Sequence, residues 1–217
     1  MLVRVMPLFA QNTWQAGVLP SINLNTGLTG DWKLNLKAES RQRFVSGTAG
    51  ENAVYGYRYV LTDLSGIVSK KVGLNNSLAV GYLIRSRDNT TFHRLIQQFT
   101  LVNPYGFFRI GHRFSSDQTF NREESPEIRL RYRIASDIPL NGQSVDPGEF
   151  YFKFSNEYLL SFQDSETDLE IRVIPLLGYE FTDNNKLEWG LDYRTSSFWE
   201  GNRRSAFWLS LNWLISI

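Results

Sequence analysis

Two histidines and a few carboxylate clusters are the main residues this sequence offers for catalysis or metal binding. His112 stands in IGHRFSSDQTF, close in sequence to Ser115 and Ser116. A base and its nucleophile must come within hydrogen-bond reach. On a strand, residues i and i+2 share a face, so Ser115 should point away from His112. Ser116 shares the face but lies four positions on, too far along extended chain for direct contact. A lipid hydrolase built on His112 and a serine is therefore the minor reading. His93, in TFHRLIQQF, lacks a cysteine or second histidine beside it and makes a poor metal site. Glu123-Glu124 could do acid–base work, but NREESPE reads as a loop whose charges are solvated. Asp164, Glu166 and Asp168 in DSETD supply hard oxygens for calcium, without the fixed glycine and terminal glutamate of a helical calcium loop. Cysteine is absent, which removes disulfides, thiol catalysis and cysteine–zinc sites. No phosphate-cradling glycine loop is present. The expectation is a protein that is not an enzyme, with no cofactor and no metal.

The stronger constellation is a set of charges at alternate positions. Glu39, Arg41 and Arg43 share one face of their segment, and Arg129, Arg131 and Arg133 share one face of another. Arg58, Arg85, Arg109, Arg113, Glu157, Arg172, Glu188, Asp192 and Arg194 fall likewise on faces opposite aromatic and aliphatic ones. An inward charge in a narrow barrel must be paired or hydrated. Two roles compete: a lattice of ion pairs that fills the interior, and an arginine-lined passage that favours anions. The long guanidinium fork can reach across a narrow lumen and grip carboxylates, and arginine outnumbers carboxylate on these faces.

The elements that carry these residues are strands, because the dominant period is two. In 32–44, Trp32, Leu34, Leu36 and Phe44 alternate with Lys33, Lys37, Glu39 and Arg41; 126–138, 149–162 and 186–197 repeat the pattern. Further strands are expected at 12–24, 53–68, 74–87, 91–102, 106–116, 169–182 and 203–217. Turn chemistry separates them, as in Asn103-Pro104-Tyr105-Gly106, Asn141-Gly142 and Asp183-Asn184-Asn185. No stretch sustains a helical period, and no composition shift divides the chain, so 11–217 reads as a single domain. Residues 1–10, MLVRVMPLFA, resemble the end of a secretory signal peptide, with cleavage after Ala10 and Gln11 as the mature start.

Strands of this length exceed the ~5 to 6 residues of ordinary globular strands and match the ~9 to 11 needed to cross a membrane. With 14% aromatic residues, packing every apolar face into one core would crowd it. A transmembrane barrel turns those faces outward to lipid and the charges inward, and closure leaves no open edge. The fold class is thus all-β, a closed antiparallel transmembrane β-barrel. Eleven segments are visible, yet single-chain bacterial barrels carry even numbers. The expected wall has 10–12 strands, with twelve preferred and 12–24 the doubtful member. The alternative is a soluble, lipocalin-like ligand carrier. The 23 basic and 22 acidic residues leave +1, with no bulk field to recruit nucleic acid. Expected partners are outer-membrane lipid, other outer-membrane subunits, and small solutes or anions.

Several phrases resemble a known family: LPSINLN (19–25), LKAESRQRF (36–44), FHRLIQQF (92–99), IGHRFSSDQTF (110–120), RLRYRI (129–134), PLNG (139–142), EFYFKFSNEYL (149–159) and KLEWGLDYR (186–194). Together they look like the family catalogued as domain of unknown function 2490, found largely in Gram-negative bacteria of the Bacteroidetes group. The resemblance implies a porin-like β-barrel in the bacterial outer membrane. It implies no activity and carries over no catalytic residue.

Overall fold

Alternating apolar and polar residues sort onto two separate faces only in a strand, and here the strands form a sheet that closes on itself. The computed structural model describes residues 12–106, 108–199 and 201–217. The expected leader, 1–10, and the expected start at Gln11 lie outside the described residues. Eleven strands follow one another: β1 (Thr13–Gly27), β2 (Trp32–Thr48), β3 (Val54–Lys71), β4 (Asn76–Arg87), β5 (Thr90–Tyr105), β6 (Phe108–Phe120), β7 (Glu127–Pro139), β8 (Phe150–Gln163), β9 (Glu166–Thr182), β10 (Asn185–Ser196) and β11 (Arg204–Ser216). Each is hydrogen-bonded to its sequence neighbours, and β11 closes on β1. The fold is an all-β closed barrel.

The wall is odd, which differs from the expected even count. In an up-and-down meander of odd number, the last strand runs in the same direction as the first. Closure must then be parallel, and it is: β1 and β11 pair from Thr13↔Arg204 to Asn25↔Ser216 without a register shift. All other neighbours pair antiparallel. The doubtful segment 12–24 is therefore a full wall strand and one half of the seam. Inside the seam, Ser21 Oγ donates to Asn212 Oδ1 at 2.7 Å.

The connections sort to two rims. The links after β1 (28–31), β3 (72–75), β5, β7 (140–149) and β9 (183–184) lie at the rim where β11 ends, called here the C-terminal rim. Links 49–53, 88–89, 121–126, 164–165 and 197–203 lie at the opposite rim. The 88–89 turn is tight because Asp88 and Asn89 both take positive φ, 48° and 62°, as a two-residue hairpin of type I′ requires. At the same rim one hairpin stands proud of the wall. β3 pairs with β4 only from Thr62↔Ser86, so residues 54–61 have β2 as their one strand partner, with the Tyr59 hydroxyl donating to the Ser86 carbonyl at 3.2 Å. Two register shifts in β2 accompany this projection, and Tyr55 and Tyr57 on it are largely exposed.

Side-chain orientation obeys the alternation. Leu130, Leu95, Phe114, Leu191 and Leu209 stand exposed on the outer face, while Arg129, Asp117, Glu157, Asp192 and Arg194 are buried within the barrel. The interior also holds a few apolar side chains, among them Leu19, Ile96, Ile174 and Trp208.

The parallel seam yields a direct test. The chain has no native cysteine, so Ser21→Cys with Asn212→Cys should form one intramolecular disulfide on mild oxidation. Partner Cα atoms across a strand pair lie within the ~4.4 to 6.8 Å that a disulfide spans. Peptide mapping that recovers a 21–212 cross-link checks the closure. Failure to cross-link a folded protein would mean that β1 and β11 are not neighbours in this register.

Candidate functional site

The interior of the barrel is the candidate site, and ion pairs between close neighbours on the wall build it. On β2, Glu39 lies between Lys37 at 2.7 Å and Arg41 at 3.2 Å, all three on the inward face. Arg85 of β4 grips Asp63 of β3 with both nitrogens, at 2.7 and 2.6 Å. Asp117 of β6, with no exposed side-chain surface, accepts from Arg129 and Arg131 of β7, each at 3.0 Å. Glu157 of β8 has Arg131 at 3.4 Å, Arg172 of β9 at 3.6 Å and Arg133 at 3.8 Å. Arg172 also pairs with Glu170, and Arg194 holds Asp192 with two bonds of 2.8 Å.

One link skips a strand. Tyr151 Oη and Lys153 Nζ of β8 both donate to Glu188 Oε1 of β10, at 2.8 and 2.7 Å. Gly178 of β9 makes this possible. It pairs directly with Tyr151, and a Cβ placed there would come within 2.2 Å of the tyrosine ring. The missing side chain lets the ring cross β9 and meet the carboxylate.

The expected site residues divide into three groups. Glu39, Arg41, Arg85, Arg129, Arg131, Arg133, Glu157, Arg172, Glu188, Asp192 and Arg194 sit in the network just described. Arg109 and Arg113 face the interior space and take no part in an ion pair among the described residues. Arg58 departs from the expected lining. Arg43 keeps the parity of Glu39 and Arg41, pairs with Gly17 and Arg58 in the sheet, and makes no ion pair among the described residues. Arg58 lies on the projecting hairpin, more than half exposed, 3.7 Å from Asp88. The physical reason is the bulging of β2 and β3, which breaks the two-residue period at the rim.

Alternation along a single strand did not bring out Asp63, Asp117, Glu170 and Arg94, all of which face the interior. Asp117 was missed because β6 was expected to end at 116; it runs to Phe120. The usable signal was parity with Arg109 and Arg113. Arg94 is buried without a carboxylate contact and donates instead to Thr119 Oγ1 at 2.8 Å.

The residues considered for catalysis are not brought together. His112 faces outward and shares a 2.8 Å hydrogen bond with the Tyr132 hydroxyl. Ser115 is buried on the inward side, while Ser116 accepts from Gln118 at 2.9 Å. His93 bonds the Tyr82 hydroxyl at 2.6 Å and stacks near Phe120. Glu123 and Glu124 have their amides capped by Asn121, and Asp168 accepts from the Ser197 amide at 2.8 Å. Among the described residues no three His, Cys, Asp or Glu side chains are grouped to hold a metal ion.

An eleven-stranded closed barrel with this polar interior is the geometry against which likeness to known proteins can be weighed. Residues 16–205 match the family described as protein of unknown function (DUF2490). The chain belongs to that family. No curated protein and no solved structure matches it. For this DUF2490 member the interior network is thus the arrangement from which a role must be argued.

The ion pairs run along the wall rather than across the lumen, so space remains between them. Three cavities of about 580, 380 and 480 Å³ share Arg113 and Arg133 in their linings.

Two substitutions probe the network in this DUF2490 protein, each with a control. Asp117→Ala leaves Arg129 and Arg131 without their shared acceptor and should cost about 3–5 kcal/mol. Arg58→Ala breaks only an exposed pair, with Asp88, and should cost no more than about 1 kcal/mol. Gly178→Val should displace Tyr151 and cost about 1–3 kcal/mol as overpacking, whereas Gly111→Val, whose nearest atom to a new Cβ is 3.8 Å away, should be tolerated. Denaturant unfolding of the four variants in one detergent ranks them.

Proposed function

We propose that this protein is a non-enzymatic β-barrel of the bacterial outer membrane whose charged, arginine-rich lumen is largely occluded. It acts as a narrow channel or as a structural or accessory subunit of that membrane. The observation that carries this reading is the inverted distribution of side chains. The outer face bears Leu, Phe, Tyr and Trp around the circumference, while the buried side chains include Asp117, Arg129, Glu157 and Arg194. Monomeric soluble proteins rarely expose contiguous apolar patches beyond a few hundred Å². In a bilayer the same face is the favourable one, and a closed ladder leaves no backbone edge in lipid.

Two aromatic zones support the same reading, since interfacial rings flank the apolar band of membrane barrels. Near the C-terminal rim, Phe150 and Tyr179 lie 4.7 Å apart, and Tyr179 and Phe181 4.8 Å. Near the opposite rim, Tyr193 and Phe207 lie 5.0 Å apart, and Phe44 and Tyr57 6.0 Å. The C-terminal rim then faces the periplasm and the projecting hairpin faces outward. The side chains of the paired arginines and carboxylates project from the wall and narrow the lumen to discrete spaces, which supports the occluded reading. Eleven strands fall between eight-stranded barrels, whose interior side chains fill, and sixteen-stranded porins, which leave a channel.

The experiment has two arms. Leu130→Arg and Leu191→Arg place a charge toward lipid and should cost about 2–4 kcal/mol near the midplane, seen as reduced outer-membrane insertion. Gln98→Arg adds the same charge to the lumen and should still insert. Equal effects on both faces, or purification as a detergent-free soluble monomer, would sink the membrane reading. In planar bilayers the wild-type protein should give small, rare openings with slight anion preference. Large, stable, cation-selective currents would overturn the occluded arginine-rich lumen.

A further inference from the structure

The positive charge of the lumen is not spread evenly. The network consumes the guanidiniums of Arg85, Arg129, Arg131, Arg172 and Arg194 in contacts with carboxylates of 3.6 Å or less. Apart from Arg94 on β5, which donates to Thr119, and Arg43 on β2, what it leaves over in the interior collects on β6 and β7 beside the C-terminal rim. There a cavity of about 580 Å³ is lined by Arg109, Arg113, Arg133 and Lys153, with Asp137 as the acidic side chain in its lining. Residues Gln143, Ser144 and Val145 of the 140–149 link complete it. That link is anchored by backbone bonds from Gly148 to Glu180, 2.7 Å, and from Glu180 to Glu149, 3.1 Å.

Lys153 is already bound to Glu188; Asp137 lies 3.8 Å from that lysine and stands opposite Arg109 in the strand pair without an ion pair to it. Arg113 stands directly opposite Arg133 across the β6–β7 pair. Like charges facing each other are destabilising unless something negative lies between them. Arg133 is only half satisfied: it donates to Ser155 Oγ at 3.1 Å and lies 3.8 Å from Glu157, and its buried Nε has no hydrogen-bond partner. Arg109 and Arg113 are both open to the cavity and make no ion pair among the described residues.

We propose that this vestibule is a binding site for a small, multiply charged oxyanion, a polycarboxylate or a phosphate, held by Arg109, Arg113 and Arg133. Planar guanidinium forks match the paired oxygens of either group. The cavity is of the size that takes a small molecule, about 300–1,000 Å³. Val102, Ala135 and Pro139 in the lining lower the local polarity and strengthen the attraction. The site rests on the proposed membrane orientation only for which compartment it opens to, the periplasm.

The test uses the full chain in detergent, at low salt, with citrate, inorganic phosphate and glucose as probes in isothermal titration. Citrate or phosphate should bind saturably at one site, more weakly as sodium chloride rises, and glucose should not bind. Preference for citrate assigns a polycarboxylate ligand, and preference for phosphate assigns a phosphate ligand. Arg109→Gln with Arg113→Gln should weaken binding about a hundredfold, about tenfold for each guanidinium removed. Arg113→Lys should fall between, and Arg58→Gln should bind as wild type. A heat-dependent gel shift confirms that each variant is folded. The proposal is overturned if neither anion binds saturably, if glucose binds as well, or if the folded double variant binds like wild type. Because no bilayer is involved, those results leave the membrane reading intact. A protein that binds citrate yet needs no detergent would support the anion site and overturn the membrane reading.

Discussion

The wall of this barrel has no open seam, and the parallel junction of β1 and β11 is what makes that true. A meander of eleven strands with an open seam would expose two rows of unpaired amide and carbonyl groups. Parallel pairing is slightly less stable per residue than antiparallel, so the seam gains from length. It runs unbroken from Thr13↔Arg204 to Asn25↔Ser216. With both faces of the wall then committed, one inward and one outward, each strand has a single permitted register. A slip by one residue would carry Arg129, Arg131 and Arg133 to the outer face.

The same geometry explains why the interior charges pair sideways. Adjacent strands lie about 4.8 Å apart, so an inward carboxylate meets the arginine of the next strand long before it meets the opposite wall. Asp63 with Arg85, Asp117 with Arg129 and Arg131, and Glu157 with Arg172 follow this rule. Cross-lumen plugging would need a narrower barrel. Lateral pairing instead braces neighbouring strands and leaves discrete spaces, whose character depends on which charges find a partner locally. On β6 and β7 the local balance fails, because Arg113 faces Arg133, and Glu157, the carboxylate beside Arg133, is shared with Arg131 and Arg172.

The outer face is set by a different constraint. Its polar side chains satisfy one another within the wall: His112 with Tyr132, His93 with Tyr82, and Gln97 with Gln118 through reciprocal bonds of 3.0 and 3.1 Å. Mutual satisfaction suits groups that have no water to turn to. It also accounts for the two histidines, whose ring contacts are with aromatic neighbours.

Much of this could be read directly from the chain. Alternation is a local property, so the eleven segments, the inward face of the clearest of them and the all-β class followed from residue order alone, although a wall of twelve was preferred. The family followed from phrases such as IGHRFSSDQTF and KLEWGLDYR. The chain could not say how the wall closes, because pairing of residues 13–25 with 204–216 joins its two ends and leaves no local trace. Nor could it locate the departures: the overhang that carries Arg58 out of the lumen, and the extension of β6 that brings Asp117 inside. Three arginines in RLRYRI looked equivalent in sequence. Only the tertiary structure separates Arg129 and Arg131, held by Asp117, from Arg133, which faces Arg113. Facing strands fix the partner of a charge, and register between strands is decided by the whole barrel.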